Sequence, residues 1–255
     1  MRYLFIDRKV RYNELEYFKS IGVEVITVPT NNKVYEEISS HTDIHIVKLF
    51  DKYVVSVELY EYLETMFFCN EKYLDLKDKL IVGESCINGD YPLDIPYNIF
   101  TFRNNVVHNF KYTDSKCLEV INSISNINKI NVKQGYSNCS CVNVDDKICI
   151  TSNMEIYEKL NNSLKSNLNY YEKVIYVDNS KCDIKLIKND GNYSNMKGFI
   201  GGCMSYINNK LVIFGDKKYI DNIDIIKEKC KKSNIEIVYF KNLELIDYGK
   251  IIIIE

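Results

Sequence analysis

The chain has 255 residues, 46% of them hydrophobic, with 33 basic against 35 acidic side chains and a formal charge of −2. That length and apolar content can enclose a sizeable core, and the even spread of charge excludes a basic nucleic-acid groove or an acidic tail. No apolar run approaches the roughly 20 residues a membrane-spanning helix needs, and nine cysteines without a signal peptide point to reduced thiols in a cytoplasm.

In chain order, an apolar strand at Tyr3–Asp7 leads into helix-like sequence from Asn13 to Ser20 and a strand at Val23–Pro29. A further strand ends in the turn Phe50-Asp51-Lys52, returns through Tyr53–Val57, and is followed by a strand at Lys79–Gly83. The same order comes back around Arg103-Asn104-Asn105, with a return at Val106–Phe110, a helix over Asp114–Ser123 that Asp114 caps, and a strand at Lys129–Lys133. Around Asp145-Asp146-Lys147 it comes back again, with a return at Ile148–Ser152, a helix over Asn153–Leu164 and a strand at Lys173–Asp178. Asn161–Asn169 and the loop Asn189–Asn195 read as insertions. The last copy turns at Asn208-Asn209-Lys210, returns at Leu211–Gly215, forms a helix over Ile220–Lys232 with Asp216 as a cap before it, and continues at Ile235–Phe240. Asp, Asn and Lys in the turns tolerate the tight backbone of a hairpin. Lys250–Ile254 is a strand with nothing after it to pair with.

The returning strands start at residues 3, 53, 106, 148 and 211, and such spacing marks one supersecondary unit reused. The first copy lacks the strand that precedes the others. Pairing the two termini would complete it and leave no sheet edge open. The expectation is therefore a single domain over residues 1–255, a closed ring of five ββαβ units. Abundant Ile, Lys and Asn with no alanine or tryptophan fit the codon bias of an AT-rich bacterial genome.

Counting back from each return aligns the four second strands. Eight residues before stand His45, Asn98, Ser140 and Cys203, and ten before stand Asp43, Pro96, Asn138 and Gly201. Side chains alternate along a strand, so a polar face carrying Asp43, His45, Asn98, Ser140 and Cys203 is expected to line a central cavity. On this alignment Ile44, Ile46, Ile99, Cys141 and Met204 pack beneath helices. A thiol, an imidazole and a carboxylate meeting in a desolvated hole suit nucleophilic catalysis, and they equally suit a polar ring centre filled by water. His41 shares the strand of His45, Cys203 follows two glycines, and His108 reads as structural. Cys139 falls on the apolar face unless a bulge turns it inward. Asp94 stands four residues before Asn98, as His41 does before His45, which places it at the mouth with Lys133, Gln134 and Tyr136. Cys139-Ser140-Cys141 has no second pair at zinc-site distance, and neither metal nor cofactor is expected.

A five-unit ring closed by its termini, His41-Thr42-Asp43 before an apolar hairpin, and Gly201-Gly202-Cys203-Met204-Ser205 together resemble the pentein, or guanidine-group-modifying enzyme, superfamily. A resemblance covering most of the chain, carried by Tyr91–Asn98, Phe110–Asp114, Val132–Ser140 and Gly198–Gly202, is to an uncharacterised bacterial family of that fold. It implies a five-bladed α/β propeller. The superfamily motifs imply Cys203 as nucleophile, His41 as acid/base and Asp43 holding a small guanidino or amidine substrate, while the strand alignment places His45, Asp94, Asn98 and Ser140 around it and Cys139 is the alternative nucleophile. The chain departs from that pattern in two places: where working penteins place their cysteine, the last unit has Asp247-Tyr248-Gly249-Lys250, and Glu84–Asp90 lacks the spacing of their substrate-binding segment. A catalytically silent pentein that binds a small ligand, a ribosome or another protein is the competing expectation.

Overall fold

The computed structural model describes residues 1–165 and 174–255. The Asn161–Asn169 insertion lies partly outside the described residues, as does Lys173 at the start of its expected strand. Five three-stranded sheets share one plan: an inner strand pairs antiparallel with a central strand, and that strand pairs parallel with an outer one. Blade 1 is Ile46–Leu49, Lys52–Val55 and Leu80–Val82, and blade 2 is Phe100–Phe102, Asn105–His108 and Asn128–Asn131. Blade 3 is Cys141–Val144, Ile148–Thr151 and Val174–Tyr176, and blade 4 is Met204–Ile207, Lys210–Ile213 and Glu236–Tyr239. Blade 5 draws on both termini, with Ile252–Ile254 antiparallel to the Tyr3–Asp7 strand through Tyr3↔Ile254 and Phe5↔Ile252, and Glu24–Val28 outside it.

The hairpin turns sit where Asp, Asn and Lys were read as turn formers. Phe50, Arg103, Asp145, Asp146, Asn208 and Asn209 all take positive φ, the conformation that tight hairpins demand. Helices over Tyr12–Ser20, Val57–Cys69, Ser115–Ser123, Met154–Lys165 and Ile223–Lys232 follow the central strands. The first three residues assigned to the last helix are not part of it. Asp216 instead caps a short 3₁₀ turn at Lys217–Tyr219, accepting from the Lys218 amide at 3.1 Å. The inserted loop is itself structured, because Ile184–Ile187 and Tyr193–Lys197 form a hairpin that joins Leu245–Ile246 in a sixth small sheet.

The core is divided among the gaps between blades, which overturns the expectation of one apolar and one polar face per blade. In blade 2, Ile99 and Val106 pack on Val47, Leu49 and Val54 of blade 1. The alternate residues Phe100, Phe102 and Val107 pack on Cys141, Cys149, Ile156 and Leu160 of blade 3 and its helix. Sheets arranged radially bury both faces, so only their inner edges meet the axis. The segments before the inner strands are bonded into a ring about it. The Asp43 amide donates to Gly249 O at 2.8 Å, Tyr248 N to Gly202 O at 3.0 Å, Gly201 N to Cys139 O at 2.7 Å and Asn138 N to Asn98 O at 3.3 Å, and Asn98 Nδ2 returns to Asp43 O at 3.2 Å.

Candidate functional site

That ring of segments carries the candidate site. Thr42–His45 is one helical turn, and the strand starts only at Ile46. The other inner strands likewise start at Phe100, Cys141 and Met204. Strand alternation therefore does not govern the residues eight to ten before each return, and side chains assigned to one face separate. His45 turns to the N-terminus of the Val57–Cys69 helix, where Nδ1 lies 2.9 Å from the hydroxyl of the N-cap Ser56, and burial lowers its pKa to about 4. Ser140 Oγ donates to Tyr136 O at 2.7 Å. Cys203 lies among Val142, Ile184, Ile200, Met204 and Leu245 in the gap beside blade 3, its thiol directed at Ile200 O at 3.2 Å. None of these three meets Asp43.

Cys139 does meet it. Its Sγ donates to Asp43 Oδ2 at 2.8 Å, and Asn98 Nδ2 reaches the same sulfur at 3.1 Å. Asn98 is fixed by accepting the amides of Asn138, at 2.8 Å, and Cys139, at 3.2 Å, on Oδ1. The turn at Asn138–Cys139 brings the thiol inward in the way the bulge alternative allowed. Asp43 Oδ1 is buried with no partner among the described residues. Burial, then the nearby charge of Asp247, raises the Asp43 pKa to about 7, while burial and the Asp43 charge push the Cys139 thiol well above its ordinary value.

His41 stands between two carboxylates, with Nε2 3.6 Å from Asp7 Oδ2 and Nδ1 3.8 Å from Asp247 Oδ1. Nε2 and that Asp7 oxygen are both buried without a hydrogen-bond partner among the described residues. Burial and the Lys9 ammonium hold the imidazole well below its usual pKa, so it is neutral. Asp247 accepts the Phe199 amide at 2.7 Å and the Gly249 amide at 2.8 Å, and burial raises its pKa to about 6. The glycines serve this packing. A Cβ on Gly202 would stand 1.6 Å from Asp247 Oδ1, and one on Gly249, at φ +63°, would stand 2.3 Å from His41 Cβ. Gly202 thus makes room for a carboxylate.

Tyr136 OH donates to Asp94 Oδ2, and its ring lies between Tyr91 at 5.8 Å and Phe199 at 5.9 Å. Asp94 Oδ1 is buried without a partner among the described residues, and burial raises the Asp94 pKa. His108 is structural in its contacts, with Nδ1 2.6 Å from Thr113 Oγ1. Sequence reasoning missed Asp7, Asp247 and Lys250. The signal for Asp247 was present in its place within the last unit, the segment where the sequence departs from the pattern it resembles. No group of three or more His, Cys, Asp or Glu among the described residues is arranged to hold a metal ion. The cavity on the axis is lined by none of Asp43, His45, Asn98, Ser140 and Cys203. No helix among the described residues is long and apolar enough to cross a membrane.

Residues 5–252 match the model of a protein family described as a family of unknown function, DUF6873. The chain belongs to that family. No curated protein sequence matches it. Among solved structures it is similar to a dimethylarginine dimethylaminohydrolase from Pseudomonas aeruginosa, a cysteine-to-serine mutant complexed with citrulline, at TM-score 0.51 and 7% identity over 94% of this chain and 91% of that one. A dimethylarginine dimethylaminohydrolase adduct with 4-chloro-2-hydroxymethylpyridine matches at TM-score 0.50 and 7% identity, over 94% and 92% of the two chains. An agmatine deiminase from C. jejuni is 14% identical over 92% of this chain and 78% of its own, at TM-score 0.46. The two dimethylarginine dimethylaminohydrolase likenesses, with the ring of five three-stranded sheets, show that the fold of this DUF6873 chain is the five-bladed α/β propeller of the penteins.

Proposed function

We propose that the chain is a thiol-dependent hydrolase of a small guanidino or amidine compound, with Cys139 as nucleophile, Asp43 as its proton acceptor and His41 as the base toward water. The observation that carries this reading is the buried Cys139–Asp43 pair, steadied by Asn98. At rest the thiol is protonated, which a raised thiol pKa beside a raised carboxylate pKa requires. A guanidinium entering beside the pair would stabilise the thiolate as its proton passes to Asp43, and so generate the nucleophile only when substrate is present. The sulfur then attacks the amidine carbon, and the thiol proton, held by Asp43, passes to the departing amine. Water adds to the resulting thiouronium, a proton leaves through neutral His41, and the carbon–sulfur bond breaks to give the urea-type product and the free thiol. A reducing cytoplasm suits nine free cysteines, two of them exposed.

A second reading, a silent binder, is favoured by closure of the site, since Cys139 is 4% exposed, His41 1% and Asp43 fully buried. One experiment separates them: labelling of the native protein with a haloacetamidine, followed by peptide mapping and turnover assays on a guanidino panel. Label on Cys139 that Cys139→Ser removes, together with release of amine from one substrate, supports the hydrolase. Label on Cys203 transfers the nucleophile's role to that residue. Reversible binding of a guanidino compound with neither label nor turnover leaves the binder.

A further inference from the structure

The axis is closed at the Cys139 end and open at the other. A cavity of about 330 Å³ lies among the inner strands of all five blades, toward their hairpin ends, within the size range of small-molecule sites. His41, Asp43, Cys139 and Asp247 are absent from its walls. At its inner end stands Lys250, whose ammonium donates to Cys141 O at 2.9 Å, to Asn138 O at 3.3 Å and to the Asn138 side-chain carbonyl. The Phe100 ring lies 5.1 Å from the same nitrogen. All these partners are neutral, and no described carboxylate stands within ion-pair reach of it. Removal from water lowers the Lys250 pKa, with Asp43 opposing from a distance. A largely desolvated cation without a counterion raises the affinity of the space in front of it for an anion.

We propose that this cavity is a second binding site, which takes a small organic monocarboxylate with its charged end at Lys250. The walls decide the class of anion. Phe100, Val142, Ile251 and Ile253 offer apolar surface for a carbon body, while Thr101 and Asn143 offer polar contacts. Lys48 also lines the cavity, but its ammonium lies over the Tyr53 ring, 5.5 Å from the centroid, so a phosphate dianion at Lys250 would meet one ammonium in place of an arginine fork or a nest of backbone amides, and Glu255 at the rim opposes a second negative charge. The incoming carboxylate takes over hydrogens that Lys250 now gives to carbonyl groups, exchanging neutral acceptors for a charged one.

The test is titration of the isotopically labelled full chain with acetate, propionate and pyruvate, with inorganic phosphate and methylguanidine as controls, followed by amide NMR shifts. At least one carboxylate should give saturable shifts at Asn143, Ser205 and Lys250. They should persist in Cys139→Ser and vanish in Lys250→Met. They should also vanish in Thr101→Phe, which fills the cavity and keeps the cation, so the result does not depend on the lysine variant folding. The proposal is overturned if no carboxylate saturates by roughly ten times a 1 mM dissociation constant, or if phosphate or methylguanidine moves the same amides as strongly. Because no reading of Cys139 chemistry enters, failure here and failure of the hydrolase reading are separate outcomes.

Discussion

Cys139 and Cys203 are both buried thiols, yet one faces a carboxylate and an amide and the other faces aliphatic side chains. Cys139→Ser is expected to abolish haloacetamidine labelling with little loss of stability, because a serine hydroxyl can still donate to Asp43. Cys203→Ser should leave labelling intact and, because its hydroxyl keeps the Ile200 carbonyl as acceptor, lower stability by no more than about 1 kcal/mol, the cost of a more polar group in a largely apolar gap; comparing mass spectra and urea midpoints of the two variants checks both. Asp43 sets a pH dependence. Its folded pKa, about 7, lies above the carboxylate's ordinary 3.8, so the folded state binds more protons than the unfolded chain in that window and stability falls as pH rises through it. The depressed histidines act oppositely, since His45 at about 4 makes the folded state lose stability as pH falls from 6.5. Asp43→Asn removes only the first effect. Its stability relative to the parent should therefore grow from pH 5 to pH 8, by a few kcal/mol at most, and a flat difference in urea midpoint across that range would contradict the buried-acid assignment.

Single elements position the site through their ends. The Thr42–His45 turn sends Asp43 to the axis and His45 to the next helix, a division that no strand could make. Asp114 shows how much one cap can organise: its carboxylate accepts Lys116 N at 2.9 Å and Cys117 N at 3.2 Å on one oxygen, and Glu84 N at 2.9 Å and Ser85 N at 2.7 Å on the other. Burial opposes the ionised form, but these amides outweigh it and the pKa is lowered. Asp114→Ala is expected to cost about 2 kcal/mol or more, beyond the ~1 kcal/mol of an ordinary N-cap, because four amides lose their acceptor together. Amide exchange should accelerate most at Glu84, Ser85, Lys116 and Cys117. Uniform acceleration over the whole molecule would show that the cap does not hold the Glu84–Asp90 segment locally.

For the whole molecule the decisive contact is the antiparallel pairing of Ile252–Ile254 with Tyr3–Phe5, which gives blade 5 its inner strand. We expect residues 1–255 to unfold as one cooperative domain, with fluorescence and far-UV circular dichroism transitions coinciding. Deleting 251–255 should abolish that transition, because the Phe5–Ile252 packing and a neighbouring blade gap open together. Since the terminal strands are related as the other hairpins are, a permutant that links 255 to 1 by a short turn and opens at Asn208-Asn209 should fold with nearly the parental midpoint. Loss of folding in that permutant would mean that closure depends on chain order as well as on strand pairing.

The repeat spacing, turn residues and alternating apolar strands were enough to determine a five-unit ring closed at its termini, because those signals are local and each unit repeats them. Asp114 as a cap was legible for the same reason. The membership of the site was not, since it depends on side chains from different blades meeting where the chain has left the strand. Asp43, Asn98 and Cys139 come together because Thr42–His45 coils into a turn and Asn138–Cys139 bends inward, and the alternation rule applies to neither segment. Cys203 looked equivalent by count, but radial blades bury both faces and its position opens onto an apolar gap. Asp7 and Lys250 carry no local pattern, and Asp247 shows only its place in the last unit. The roles of Asp7 and Asp247 arise from burial near other charges and that of Lys250 from burial among neutral carbonyls, and only the folded ring brings those groups within reach of one another.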